Sequence, residues 1–275
     1  MSKKKAMFFK QSVSIGTEAQ DFIDAVNLEA GLTLTSAQEV AIDDLVVGLK
    51  ANGTWAKYHA IYPFIGGTAT SHKWNLKNPL DTDGAFRLTF NGTITHDANG
   101  ITGDGSTGYA NTHLIPASIL TAGDTNMGIY SRTNDSGNDA RDMGVKTANG
   151  QMSFHTKYIN GNAYVDGYDT GISGRISFVS QSFGMFHSTR RTATDHKVFI
   201  DGIEKGFSNT DTSADFANIT NNIFLGNFND IGVPNASYSA RNYAFSVIGD
   251  GLTDTEVAND YTVIQAYQTA LGRNV

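Results

Sequence analysis

The 275-residue chain contains no cysteine, so neither a disulfide scaffold nor a thiolate metal site can be built from it. Charge is scarce: 17% of residues are Asp, Glu, Lys or Arg, and the net charge is −7. A phosphate backbone needs a basic partner, so this balance argues against nucleic acid as a ligand. The one basic run, Lys3-Lys4-Lys5, reads as a solvated terminus. No apolar stretch approaches the roughly 20 residues of a membrane span, so no membrane insertion is expected. No charged-then-apolar leader is seen either. Glutamate is rare. Glu18, Glu29, Glu39 and Glu256 lie in or beside helical patterns, leaving Glu204 alone in the remainder. Sandwich-fold glycosidases pair two carboxylates across the scissile bond, so this distribution speaks against hydrolysis, and no enzymatic activity is expected.

What is abundant is Gly, Thr and Asn in short alternating stretches, the composition of many short strands joined by tight turns. The first 65 residues are different. Ala19, Phe22, Ile23 and Val26 fall at helical spacing behind Thr17-Glu18-Ala19-Gln20, a capping-box pattern. Ile42, Leu45, Val46 and Leu49 repeat the spacing behind Ser36-Ala37-Gln38-Glu39, and Asn52-Gly53 closes the second helix. Trp55 to Phe64 reads as an aromatic connector. From residue 66 onward the period changes to two. Phe86, Leu88, Phe90, Gly92 and Ile94 alternate with polar residues, as do Ile172, Gly174, Ile176 and Phe178, and later Tyr243, Phe245 and Val247. Asn160-Gly161, Asp166-Gly167 and Asp201-Gly202 are read as hairpin turns. A last helix is capped by Thr253 with Glu256, carries Val257, Tyr261, Ile264 and Leu271 as its stripe, and stops at Gly272. The fold class is therefore mostly β: an antiparallel jelly-roll sandwich of ten to twelve strands, with two short N-terminal helices and one C-terminal helix. Residues 1–65 form a docking segment, and 66–275 the jelly roll with its surface helix.

Three segments resemble the concanavalin A-like, laminin G-like jelly-roll family. They are Gly100-Ile101-Thr102-Gly103-Asp104-Gly105-Ser106-Thr107-Gly108-Tyr109-Ala110, the Lys197–Gly206 hairpin around Asp201-Gly202, and Asn222-Ile223-Phe224-Leu225-Gly226. A second resemblance covers both ends. Trp55 through Lys73 with Asn75 to Pro79, and Asp250 to Glu256 with Tyr267 to Arg273, are similar to virion structural proteins from tailed phages of Bacteroidota. That resemblance implies a virion component of head, tail or fibre, with other virion proteins as partners.

Several constellations bear on function. Gly103-x-Gly105-x-x-Gly108 matches a dinucleotide fingerprint as text, but no helical stripe follows it, as pyrophosphate binding requires. Asp135, Asn138, Asp139 and Asp142 crowd one stretch, an oxygen density that can hold Ca²⁺, although the spacing is not that of an EF-hand; a solvated loop is the competing reading. No other cofactor is indicated. Tyr158, Tyr164 and Tyr168, with Asn160, Asp166 and the neighbouring Asn162 and Asp169, offer aromatic faces and planar polar groups suited to a sugar, and equally to an ordinary strand surface or a subunit contact. Phe22, Ile23, Val26, Ile42, Leu45, Val46, Leu49 and Trp55 are the expected assembly surface. Three helical stripes exceed what one two-layer core needs, so a homo-oligomer is expected, with a trimer as the first choice. The expected function is a non-catalytic virion assembly and adhesion module. The alternative is a host-glycan-binding protein.

Overall fold

The computed structural model describes residues 14–168, 173–212 and 216–275. The Lys3-Lys4-Lys5 run, Asp169 and Ile172 lie outside them.

Two sheets pack face to face as a β-sandwich. In the first, the order is Ile203–Ser208, Asp195–Ile200, Gly184–Thr192, Thr125–Ser131, Asn242–Gly249, Gly100–Gly103 and Ile94–Asp97, and Tyr58–Tyr62 also pairs with Asn242–Gly249. In the second, the order is Ile176–Val179, Asn162–Gly167, Gln151–His155, Met143–Lys146, Phe224–Leu225, Tyr109–Asn111 and Thr89–Asn91. Pairing is antiparallel throughout, except where Asn229–Asp230 runs parallel to Met143–Lys146. Long-range neighbours dominate: Asn242–Gly249 lies beside Thr125–Ser131. Jelly-roll connectivity of this kind keeps the strands short and brings distant segments together.

The core between the sheets takes alternate residues from each strand. Ile129, Phe186, Val198 and Ile248 come from one side, and Met143, Val145, Phe154 and Val165 from the other. The opposite face of the first sheet is also buried. Tyr130, Phe199, Phe245 and Val247 point into a second core, closed by the helices Thr17–Ala30, Ser36–Ala51 and Asp254–Ala270. The molecule thus has three layers: helices, sheet, sheet. This explains why Asn242–Gly249 is buried along almost its whole length, although its sequence alternates.

The third layer changes how the helical stripes are read. Phe22, Ile23, Val26, Ile42, Leu45, Val46 and Leu49 are all at most 2% exposed within this one chain. They are core, not a surplus apolar surface for another subunit. The surplus reasoned from sequence assumed a two-layer core, whereas the outer face of the first sheet absorbs the stripes. Trp55 is half-buried, its ring beneath the Lys77 ammonium at 3.9 Å. The aromatic connector contains a strand, Tyr58–Tyr62, so the N-terminal segment is stitched into the sheet.

Local signals were read with mixed accuracy. The Thr253–Glu256 box caps the last helix as expected. The box on the second helix is Thr35 with Gln38, one residue earlier than its pattern implied, and the first helix starts at Gly16 without a side-chain cap. Asp201-Gly202 is a two-residue hairpin turn, with φ of 53° and 73° between the paired Ile200 and Ile203. Asp166-Gly167 is not a turn: both residues belong to the strand Asn162–Gly167. The alternation from Phe86 to Ile94 is not one strand either. At Gly92, φ is +65° and a Cβ would lie 2.0 Å from the Thr107 carbonyl oxygen. The chain turns there and passes from the second sheet to the first. The strand Tyr109–Asn111 follows the Gly103–Gly108 segment, and the Asp104 carboxylate caps that turn by accepting backbone N–H bonds from Ser106, Thr107 and Gly108.

Candidate functional site

The outer face of the second sheet carries polar and aromatic side chains where the inner face carries the core. Along Gln151–His155, Met152 and Phe154 turn inward, so Gln151, Ser153 and His155 turn outward. The register sets Ser153 opposite Asp166 and His155 opposite Tyr164. Two groupings result, side by side.

The first is a charge lock. Asp166 receives both ends of the Arg175 fork, at 2.8 and 3.0 Å, and hydrogen bonds from Ser153 and Gln151. This carboxylate is fully buried and satisfied. Asp166 was expected to meet a sugar directly; it serves instead to hold Arg175.

The second is an aromatic corner. The rings of Tyr158 and Tyr164 meet edge to face at 5.7 Å, and His155 packs against them at 5.8 and 6.4 Å. The Arg175 guanidinium lies 5.6 Å from the Tyr164 ring centre. Asn160 donates to the Tyr164 hydroxyl at 2.7 Å, fixing that ring from the exposed side. Burial, with the Arg141 charge next, lowers the His155 pKa to about 3. Its imidazole is therefore neutral at physiological pH, and its Nδ1 is buried without a hydrogen-bond partner. His155, Tyr158, Tyr164 and Arg175, with Arg141 and Asp139, line a cleft of about 320 Å³. A second cleft of about 390 Å³ adjoins it through Asp139 and runs past Tyr238 and Gly105.

Tyr168 is not part of this surface. It follows the strand in left-handed backbone conformation, φ +66°, and is turned into the inter-sheet core, where it packs edge to face on Phe216 at 5.0 Å and hydrogen-bonds Thr147. The spacing of Tyr158, Tyr164 and Tyr168 by even numbers of residues did not reveal this reversal.

The oxygen-rich stretch is organised around a guanidinium rather than a metal. Arg241, 1% exposed, binds Asp142 through Nη1 at 2.9 and 3.0 Å, Asp135 through Nε at 2.9 Å, and Asn138 through Nη2 at 3.2 Å. Asp142 also accepts from Thr156, Ser239 and Tyr243. Burial alone would raise its carboxyl, but Arg241 and these hydrogen bonds outweigh that and hold it below the usual range. Asp139 faces away, accepting from Ser237 at 3.2 Å. The candidate Ca²⁺ site is corrected accordingly: three of its four oxygen residues are already hydrogen-bonded to Arg241, two of them as carboxylates that balance its charge. Among the described residues, no group of three or more His, Asp or Glu is placed to hold a metal ion. None of the described helices is long and apolar enough to cross a membrane.

Arg141, Arg175 and His155 are the site residues that the sequence reading missed. Alternation could have placed His155 on the outer face, but strand pairing was needed to set it against Tyr164.

No protein-family model matches the chain, and no curated protein does. Solved structures share its fold at low identity. The receptor-binding domain of botulinum neurotoxin C/D mosaic serotype superposes with a TM-score of 0.51 at 10% identity, over 76% of this chain and 51% of that one. The binding domain of botulinum neurotoxin serotype D gives 0.50 at 8%, over 75% and 52%. Domain 4 of AbnA, an extracellular arabinanase from Geobacillus stearothermophilus solved with arabinotriose, gives 0.48 at 17%, over 74% and 98%. The chain spans about half the length of the two neurotoxin structures. What these proteins and this chain have in common is the β-sandwich.

Proposed function

We propose that this chain is a non-catalytic carbohydrate-binding module whose working surface is the aromatic corner on the outer face of the second sheet. The observation that carries this reading is the fixed right-angle pair Tyr158–Tyr164 beside a cleft large enough for a sugar ring. Aromatic faces stack on the CH surface of a sugar, and planar polar groups at the rim bind its hydroxyls. Asn160, Asp139 and Arg175 are the polar groups placed to do so. Among the described residues Asp139 is the one carboxylate lining the cleft, whereas most glycoside hydrolases set two across the scissile bond, which supports binding over turnover. A glycan array probed with the whole chain tests the proposal. Binding that is lost in Tyr164→Ala with an unchanged melting temperature supports it; no signal on any glycan refutes it.

A virion setting is the second reading. The segments that resemble phage virion proteins meet in the folded chain. Arg273 donates to the carbonyls of Pro63 and Phe64 at 2.6 Å each, Tyr267 to that of Pro63 at 3.0 Å, and Lys57 to Glu256 at 2.8 Å. They form one buried joint, which favours their having been inherited as a unit. Labelling tailed-phage particles with antibody to this chain tests this, and particles that carry none of it would rule the setting out.

A further inference from the structure

The glycan site contains a guanidinium that no direct ion pair among the described residues neutralises. Arg175 is committed to Asp166 in a two-pronged ion pair. Arg141, on the same cleft, has no such partner among the described residues. Its guanidinium lies over the Phe228 ring at 4.8 Å, and its Nε and Nη1 are shut off from solvent with no acceptor. Burial disfavours its charged form and lowers its pKa. A buried donor without an acceptor is costly, and one that bears a charge is costlier. Asp166, Asp139 and Asp230 attract it, but none is in ion-pair contact with it, and Asp166 is already paired with Arg175. His155 is neutral. Asp139 is exposed and hydrogen-bonded to Ser237, where solvent screens it.

We propose that the cleft takes an acidic glycan, with a sugar carboxylate neutralising Arg141 while the ring stacks in the tyrosine corner. This rests on the glycan reading above and names its ligand class. A guanidinium is matched to a carboxylate in shape as well as charge, because its planar N–H groups meet two coplanar oxygens. The Phe228 ring under Arg141 and the rings of Tyr158 and Tyr164 give that side of the cleft an apolar lining, which strengthens such a pairing.

The test is calorimetric titration of the full chain with lactose, sialyllactose, oligogalacturonate and sulfated lactose. The carboxylated sugars should bind at least about tenfold more tightly than lactose, the scale of one charge-assisted pair. Arg141→Gln should remove that preference while leaving weak lactose binding intact, and Arg141→Lys should restore part of it. The melting temperature of Arg141→Gln should not fall, because no ion pair is lost. Tyr164→Ala should weaken binding of every sugar. Binding of lactose as tightly as sialyllactose, or of sulfated lactose above both carboxylated sugars, overturns the acidic-sugar proposal and leaves the glycan reading standing. Carboxylate preference that survives Arg141→Gln overturns the role of Arg141. Absence of binding to all four probes and to a glycan array overturns both.

Discussion

Replacing Arg241 by Met gives the sharpest test of how this jelly roll is tied together. Arg241 and Asp142 are 1% and 0% exposed and are joined by two hydrogen bonds of 2.9 and 3.0 Å. Methionine fills much of the same volume but leaves the Asp142 carboxylate buried without a counter-charge. Breaking one side of such a pair costs about 3–5 kcal/mol. Asp142 retains its bonds from Thr156 and Tyr243, which places the loss toward the lower figure, whereas Asp135, Asn138 and the Lys157 carbonyl also lose their donor. For a chain of this size the melting temperature should fall by about 10 °C. The pH dependence gives a second signature. In the wild type Asp142 has a depressed pKa. Its contribution is present above the unfolded value of about 4 and is lost as pH falls through the folded one. In Arg241→Met the carboxyl is raised instead, so the deficit relative to wild type should shrink as pH is lowered from 7 to 5. Asp142→Asn added to Arg241→Met should recover stability. Differential scanning calorimetry at both pH values, with and without Ca²⁺, makes the comparison. A melting temperature within 2 °C of wild type, or wild-type stability that rises with millimolar Ca²⁺, would refute the reasoning.

Leu45 is 1% exposed in the helix–sheet core, so Leu45→Asp should cost about 2–5 kcal/mol, read as a lowered urea midpoint; an unchanged midpoint would mean the helices are not docked. Gly202 has φ +73° and a Cβ there would sit 3.2 Å from the Ala258 Cα, so Gly202→Val should lower stability without altering sugar binding in the protein that folds, and full stability would contradict the turn. His187 is held at a pKa of about 3 by burial. Below its unfolded value near 6.5 the unfolded chain takes up a proton that the folded one refuses, so stability falls with pH. That term amounts to about 2 kcal/mol at pH 5 and should be absent in His187→Gln, as urea midpoints at pH 7 and 5 would show.

The sandwich, its end helices and the Asp201-Gly202 hairpin were legible because each is written in local pattern: period two, period 3.6, or a turn dipeptide. What depended on pairing was not legible. Asp166 reads as a turn residue beside Gly167, and only the register against Ser153 and the approach of Arg175 show it to be a buried anchor. Asp135, Asn138 and Asp142 read as a cation loop because their counter-ion, Arg241, lies about a hundred residues further along the chain. The helical stripes of Phe22 to Leu49 were read correctly as apolar faces. Their destination was left between another chain and the jelly roll, and only the surplus ascribed to a second subunit was misjudged, because nothing local says that one sheet will be covered on both sides.

That asymmetry between the two sheets also bears on function. The first sheet spends both faces on packing: Ile129 and Phe186 on the inter-sheet core, Tyr130 and Phe245 on the helices. The second has one face in the core and the other turned outward, and the aromatic corner, the Asp166–Arg175 lock and Arg141 all lie on that side. The joint that holds the helices, built from Asp260, Tyr58 and Arg273, shares no residue with the cleft. Substitutions with no shared partners add nearly independently, so changes at Tyr158, Tyr164 or Arg141 should alter recognition without loosening the helical layer. Changes at the joint should do the reverse. A chain divided in this way can vary what its cleft recognises while keeping its scaffold, as the proposed binding module would require.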